Sequence, residues 1–146
     1  MKNTFLSMVC LFSFQAIFFA NNIHQTLFIN AGHSSCVDGN QMAFKTFNAT
    51  SAFEQRNVQL AISIGDTLSL SVINNDTVVH GFDIKGIMGF MDTIQPGDTS
   101  NILFSSANIG LFIYYDHLNY PNNAYMGLSG IIGVGTNSQS YFWNIK

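Results

Sequence analysis

The sequence predicts an all-β protein, a sandwich or barrel of about eight short strands. Two segments alternate apolar and polar residues, VQLAISI (58–64) and TLSLSVI (67–73). A period of two over this length is typical of a strand with one buried face. Turn-forming residues separate the apolar runs, and no stretch keeps a helical period over eleven residues, so an all-β fold is favoured.

Predicted strands follow one another along the chain. Gly65 and Asp66 form a tight connection between the two alternating segments, and the second segment ends at NND (74–76), where Asn and Asp form side-chain turns. A single helical turn is predicted at 51–57. The other predicted strands are 78–84, 99–105, 110–115 and 129–135, with weaker patterns at 25–30 and 42–47, and 140–145 as a further strand or the start of a connection.

The first twenty residues predict a secretory signal peptide. Lys2 provides the positive start, an uncharged apolar run follows, and polar residues begin at Asn21. The run is shorter than the roughly 20 apolar residues that a membrane span needs. We therefore expect cleavage after Ala20, a single domain over 21–146, and a secreted or periplasmic protein that is not held by the membrane once the signal is removed.

Composition excludes some classes of partner. The chain carries a net charge of −3 and only 9% charged residues, so it lacks the basic surface of a nucleic-acid-binding protein. Its two cysteines are Cys10 and Cys36. Removal of the signal leaves Cys36 alone, so an intramolecular disulfide is not expected.

Three segments together resemble a known family. They read GDTLSLSVINNDTVVHGFDI (65–84), PGDTSNILFSSANIGLFIYYDH (96–117) and MGLSGIIGV (126–134). In this order they resemble the cupredoxin domain, and most closely the first, plastocyanin-like domain of multicopper oxidases, over roughly residues 55–135. The resemblance implies a cupredoxin-like Greek-key β-sandwich or barrel, with copper held by two loops that meet at one end.

The resemblance also implies a ligand set. His80 occupies the position of the histidine in the first loop, and Asp116 stands where the family's blue-copper members have a cysteine. His117 follows directly, and Met126 lies in the region of an axial methionine, at a longer spacing than usual. Two imidazoles and a carboxylate suit a non-blue copper or a zinc site, without intense blue absorption.

The resemblance to the oxidase first domain also implies two histidine pairs, H-x-H-G and H-x-H. This chain keeps only the second histidine of each pair, His80 and His117. The first positions are Val78 and Tyr115. Three hypotheses follow: a copper-binding module with an electron-transfer or copper-handling role, an oxidase-like subunit that completes its copper site across an oligomer interface, and a copper-free structural or binding module. A buried, hydrogen-bonded histidine is the structural alternative for His80 and for His117.

Other candidate residues are weaker. His33 and Cys36 are too few for a metal site, and His24 would be the fourth residue of the processed chain. No nucleophile–base pair or phosphate-binding loop is present. The chain is therefore not expected to be an enzyme alone; as one, it would be a multicopper-oxidase-type oxidoreductase. A metal ion, a second copy or a redox protein are the expected partners.

Overall fold

The computed structural model describes residues 20–87 and 92–135. The signal peptide prediction (1–20), apart from Ala20, and the strand prediction at 140–145 therefore lie outside the described residues. The described elements are β1 (Asn22–Ser35), β2 (Gln41–Asn48), β3 (Gln59–Ile62), β4 (Thr67–Asn74), β5 (His80–Ile84), β6 (Asp92–Ile94), β7 (Thr99–Ser105), β8 (Gly110–Tyr115), α1 (Asn122–Tyr125) and β9 (Ser129–Val134).

The strands form two sheets, of order β2-β1-β4-β7 and β3-β9-β8-β5-β6. β1 lies parallel to β4 and antiparallel to β2, and β3 lies parallel to β9. The all-β prediction is confirmed. The connection at Gly65 and Asp66 does not make a hairpin, however, because β3 and β4 belong to different sheets and the chain crosses between them at this turn.

Alternating side chains of both sheets fill the core. Leu68, Leu70 and Val72 of β4 are buried, as their period of two predicts. Phe47, Phe82 and Tyr114 pack together with ring centroids 5.2 to 5.7 Å apart. Burial of such side chains contributes roughly 1.5–3 kcal/mol each, which holds the two sheets together.

Short elements were the least predictable. β6 has three residues and α1 has four, too few for a periodic pattern to be read from the sequence. Residues 51–57 follow bends rather than the predicted helical turn. Ile64 lies beyond the end of β3 and is exposed, although it continues the alternation. Among the described residues, no helix is long and apolar enough to cross a membrane.

The start of β1 is tied to the turn before β4. The backbone nitrogen of Asn21 donates to Asp66 Oδ1 at 2.9 Å, and the carbonyl of Asn21 accepts from Thr67 at 2.8 Å. Ser63 donates its backbone N–H to Asp66 Oδ2 at 3.0 Å. The hydrogen bond from Asn21 is the largest influence on the pKa of Asp66, which lies below its ordinary value of 3.8.

Candidate functional site

His80 begins β5 and is completely buried. Its Nδ1 lies 2.7 Å from Asp116 Oδ2, and its Nε2 lies 2.9 Å from Asp76 Oδ2. A carboxylate only accepts hydrogen bonds, so each ring nitrogen donates when both contacts are made. In this arrangement the imidazole has no lone pair left for a metal ion.

Asp116 follows β8 directly and is also completely buried. Its Oδ1 accepts from the backbone N–H groups of Gly81 and Leu118, both at 2.8 Å. Its Oδ2 accepts from His80 Nδ1 and from Asn123 Nδ2, both at 2.7 Å. Four donors fill the roughly four lone-pair positions of a carboxylate, so this side chain is fully used inside the protein.

Asp76 and Lys45 complete the ion pairing. Lys45 Nζ lies 2.8 Å from Asp76 Oδ2 and 3.5 Å from His80 Nε2. Burial raises the pKa of Asp76, but hydrogen bonds from Lys45, His80 and the Thr77 N–H outweigh it and lower the pKa from 3.8 to about 2. We call Lys45, Asp76, His80 and Asp116 the charge cluster. Two carboxylates face two basic side chains in it, so its buried charges are paired.

The His117 ring packs against Gly81. A Cβ atom at Gly81 would lie 2.5 Å from His117 Nδ1 and 3.0 Å from Asp116 Oδ1, so only glycine permits this approach. His117 Nδ1 is buried and has no hydrogen-bond partner among the described residues. This nitrogen is the one polar side-chain atom of the described chain in that condition.

Met126 lies at the end of α1, on the chain that returns to β9. Its carbonyl accepts from the backbone N–H of Lys45 at 2.9 Å, which holds this return against β2. None of the described hydrogen bonds or ion pairs joins Met126 to His80 or His117. Its predicted role as a ligand stays a prediction.

A second polar cluster lies beside the first. It consists of Asn30, Thr46, Asn48 and Asn75, which we call the amide cluster. Asn30 Nδ2 donates to the carbonyls of residues 50 and 52, and Asn48 Nδ2 donates to those of residues 54 and 56, at 2.9 to 3.0 Å. Asn75 Nδ2 donates to Asn30 Oδ1 at 2.9 Å. These bonds hold the irregular segment 49–57 on the sandwich.

The predicted convergence of the two loops is present in the structure. It brings His80, Gly81, Asp116 and His117 together at the ends of β5 and β8. Asp76 was missed, although its spacing of four residues before His80 in NDTVVH was a readable signal. Lys45 and Asn123 carried no such signal, because the fold alone brings them to the site.

The two-sheet topology is a cupredoxin-like fold, which solved multicopper oxidases and copper nitrite reductases share. The fold of a multicopper oxidase from Pseudomonas thermotolerans matches with a TM-score of 0.68 and 20% identity, over 85% of this chain. The copper nitrite reductase from Nitrosomonas europaea matches with a TM-score of 0.66 and 21% identity, over 80% of this chain. A multicopper oxidase from Campylobacter jejuni, described as a metallo-oxidase, matches with a TM-score of 0.64 and 22% identity, over 77% of it.

At these identities the likeness concerns the fold. The chain spans 32%, 42% and 26% of the lengths of those three proteins, respectively. Neither a family model nor a curated protein matches the sequence. The predicted resemblance to the cupredoxin fold and to a multicopper-oxidase-like domain is thus confirmed at the level of structure.

The residues at the predicted copper position do not fit a copper ion as they are arranged. Both nitrogens of His80 and both oxygens of Asp116 are occupied by protein hydrogen bonds. Across residues 20–87 and 92–135, no three His, Cys, Asp or Glu side chains are grouped so as to hold a metal. A metal at His80 would have to displace a buried carboxylate from one of its nitrogens.

Proposed function

We propose that this chain is a cupredoxin-like binding or structural module that works without copper. The charge cluster stands at the two loops that would carry metal ligands in the family it resembles. The observation that supports this proposal most directly is the double engagement of His80, whose nitrogens meet Asp116 and Asp76 at 2.7 and 2.9 Å. A protein ion pair then joins the two loops, as a metal ion would.

The first test compares two histidine variants in the absence of metal. His80→Ala removes the centre of the charge cluster and leaves Asp116 and Asp76 without their shared partner. Since breaking a buried ion pair costs about 3–5 kcal/mol, we expect a large loss in the free energy of unfolding, measured by urea denaturation. His117→Ala is the matched control, because it removes a neighbouring imidazole whose buried Nδ1 has no hydrogen-bond partner among the described residues, and we expect it to cost less.

The second test is a titration with Cu(II) and Zn(II), followed by thermal unfolding. A metal that binds only the folded chain adds about 2.7 kcal/mol at one hundred times its dissociation constant. We expect no such shift at near-stoichiometric metal. A shift that His80→Ala abolishes, together with a His80→Ala variant that is stable without metal, would overturn the proposal.

One observation favours a second candidate function, a degenerate non-blue copper or zinc site. His117 Nδ1 is buried and unpaired beside Asp116, and an imidazole with an unused nitrogen is a potential metal ligand. In that case the ligand set predicted from sequence, His80, His117, Asp116 and Met126, would need the hydrogen bonds of His80 to rearrange. The titration separates the two candidates, because this one requires a shift that His117→Ala removes.

Export and partners remain part of the proposal. We propose that residues 1–20 direct the chain out of the cytoplasm and that the domain then acts in a secreted or periplasmic setting. Support comes from the apolar run after Lys2 and the polar residues from Asn21 onward. N-terminal sequencing of the exported protein tests the cleavage site. A second copy or a redox protein as partner stays a prediction, which sedimentation of the purified protein addresses.

A further inference from the structure

The four-stranded sheet ends at β7. This strand pairs with β4 on one side, and none of the described strands pairs with it on the other. Its odd-numbered residues are exposed and its even-numbered residues are buried, in strict alternation from Thr99 to Ser105. We call the unpaired side of β7 the open edge.

Two hydrogen bonds of β4 show which way the backbone groups of β7 point. The N–H of Asn74 donates to the carbonyl of Asp98 at 3.0 Å, so Asp98 faces β4. The N–H of Thr67 donates to the carbonyl of Asn21 at 2.8 Å, so Thr67 faces β1 and not its β7 neighbour Ser105. Successive residues of an antiparallel ladder face opposite sides. The odd-numbered residues of β7 therefore direct their N–H and C=O groups at the open edge.

The other edge strands carry protection that β7 lacks. β3 and β6 have only four and three residues. On β2, the N–H of Lys45 donates to the Met126 carbonyl at 2.9 Å, which covers part of that edge. β7 has seven residues, and none of them is Lys, Pro or Gly. An edge strand without charges, prolines, bulges or a cover is ready to pair with another strand.

The sequence of β7 is suited to pairing with itself. A two-fold axis at Ile102 sets Thr99 opposite Ser105 of a second copy, and Asn101 opposite its Leu103. Each pair of odd-numbered residues then exchanges two hydrogen bonds, about eight in all. β7 contains no charged residue, so like charges do not meet across the axis. Leu103, which is 62% exposed, gains a neighbouring strand.

We propose that a second copy of this chain pairs antiparallel with the open edge of β7, about a two-fold axis at Ile102. The two four-stranded sheets then join into one sheet that runs across the dimer. Main-chain hydrogen bonds provide the contact, as they do where an extended segment adds to a sheet edge. The proposal does not depend on the charge cluster, because no member of that cluster lies on β7.

Sedimentation of the purified protein tests the dimer. A single strand pair makes an interface smaller than the standard of roughly 1,600 Å², so the dimer should depend on concentration. The measurement covers about a hundredfold range of concentration, up to roughly 0.5 mM. A reducing agent is present, because the exposed Cys36 could otherwise link two copies. We expect the dimer fraction to rise across this range.

Backbone amide exchange, measured by NMR at both ends of that range, identifies the surface. The amides of residues 100, 102 and 104 face β4 and should exchange slowly at every concentration. The amides of Asn101 and Leu103 should exchange quickly in dilute protein and several-fold more slowly in concentrated protein. A contact made by side chains alone would not slow these two amides.

Leu103→Lys introduces a charge on the open edge. Because the Leu103 side chain is already largely exposed, the variant should stay folded, which far-UV circular dichroism verifies. Two lysines then lie diagonally across the axis, and we expect the dissociation constant to rise at least about tenfold. Leu111→Lys is the matched control. Leu111 is 54% exposed but lies on β8, inside the five-stranded sheet, so this variant should associate like the wild type.

The proposal fails on any of three results. Wild-type protein that sediments as a monomer over the whole range shows that the open edge does not take a second copy. A dimer whose Asn101 and Leu103 amides still exchange quickly uses another surface. Equal weakening by Leu103→Lys and Leu111→Lys likewise shows that the contact is not specific to β7.

Discussion

The charge cluster and the amide cluster lie side by side, and they hold loops in place by different means. Both draw on the ends of β2 and β4, where Lys45 and Thr46 are neighbours and Asn75 and Asp76 are neighbours. The amide cluster satisfies the backbone of segment 49–57 with neutral groups. The charge cluster joins two loops with ionised side chains. A neutral cluster can only hold structure, whereas a charged one also responds to protons and ions.

The largest loss in the free energy of unfolding should follow when one member of the charge cluster is removed. Asp116→Ala leaves His80 Nδ1, Asn123 and two backbone N–H groups without their acceptor in a fully buried position. We expect a loss of about 3–5 kcal/mol in the free energy of unfolding, measured by urea denaturation. Asp38→Ala, at an exposed loop aspartate, is the control and should cost little. A small loss for Asp116→Ala would show that the buried pairs contribute no more than surface ones.

A smaller contribution to stability, that of Asp76, should depend on pH. The pKa of Asp76 is about 2 in the folded protein against an ordinary 3.8, so its stabilisation is present above pH 3.8 and is lost as the pH falls toward 2. The difference between 3.8 and about 2 corresponds to at most about 2.5 kcal/mol, at roughly 1.4 kcal/mol per pKa unit, and screening by solvent lowers this contribution to about 2 kcal/mol. Asp76→Asn should lose this amount at neutral pH and flatten the stability profile between pH 4 and pH 2. An unchanged acid profile in Asp76→Asn would contradict the assignment.

The smallest effect should come from the amide cluster. Asn75→Ala removes hydrogen bonds to Asn30 Oδ1 and to the carbonyl of Ser51 at an exposed position. We expect a cost of about 1 kcal/mol, the net value of a typical hydrogen bond. Since no member titrates, the cost should be the same at pH 4 and pH 7. A pH-dependent cost would mean that the two clusters are coupled through Asp76, and a double variant with Asp76→Asn would measure that coupling.

The sequence predicted a strand correctly where apolar residues face the core and polar residues face the solvent in strict alternation. The alternation in TLSLSVI predicted a strand with Leu68, Leu70 and Val72 buried, because a sheet with one covered face imposes a period of two. β6 has three residues and α1 has four, so neither is long enough to show a periodic pattern of apolar residues in the sequence. The turn at Gly65 was found, but whether it joins neighbours or crosses between sheets depends on pairings far along the chain.

The sequence indicated where some of the candidate site residues lie, and their role as metal ligands stays a prediction. The resemblance placed His80 and Asp116 at converging loops, and they are 2.7 Å apart. Two further residues contact this pair: Lys45 Nζ lies 3.5 Å from His80 Nε2, and Asn123 Nδ2 donates to Asp116 Oδ2 at 2.7 Å. Lys45 is 35 residues from His80 in sequence, so no local motif connects them. The requirement for Gly81 likewise follows from the position of the His117 ring, which only a folded structure shows.

The hydrogen bond between Asn21 and Asp66 gives the predicted processing step a physical consequence. Cleavage after Ala20 would convert the amide nitrogen of Asn21 into a terminal ammonium group, 2.9 Å from a carboxylate whose pKa is already low. Removal of the leader would then do more than release the chain. It would create an ion pair between the new N-terminus at Asn21, the residue before β1, and Asp66. The processed chain would therefore have an electrostatic contact that its precursor lacks.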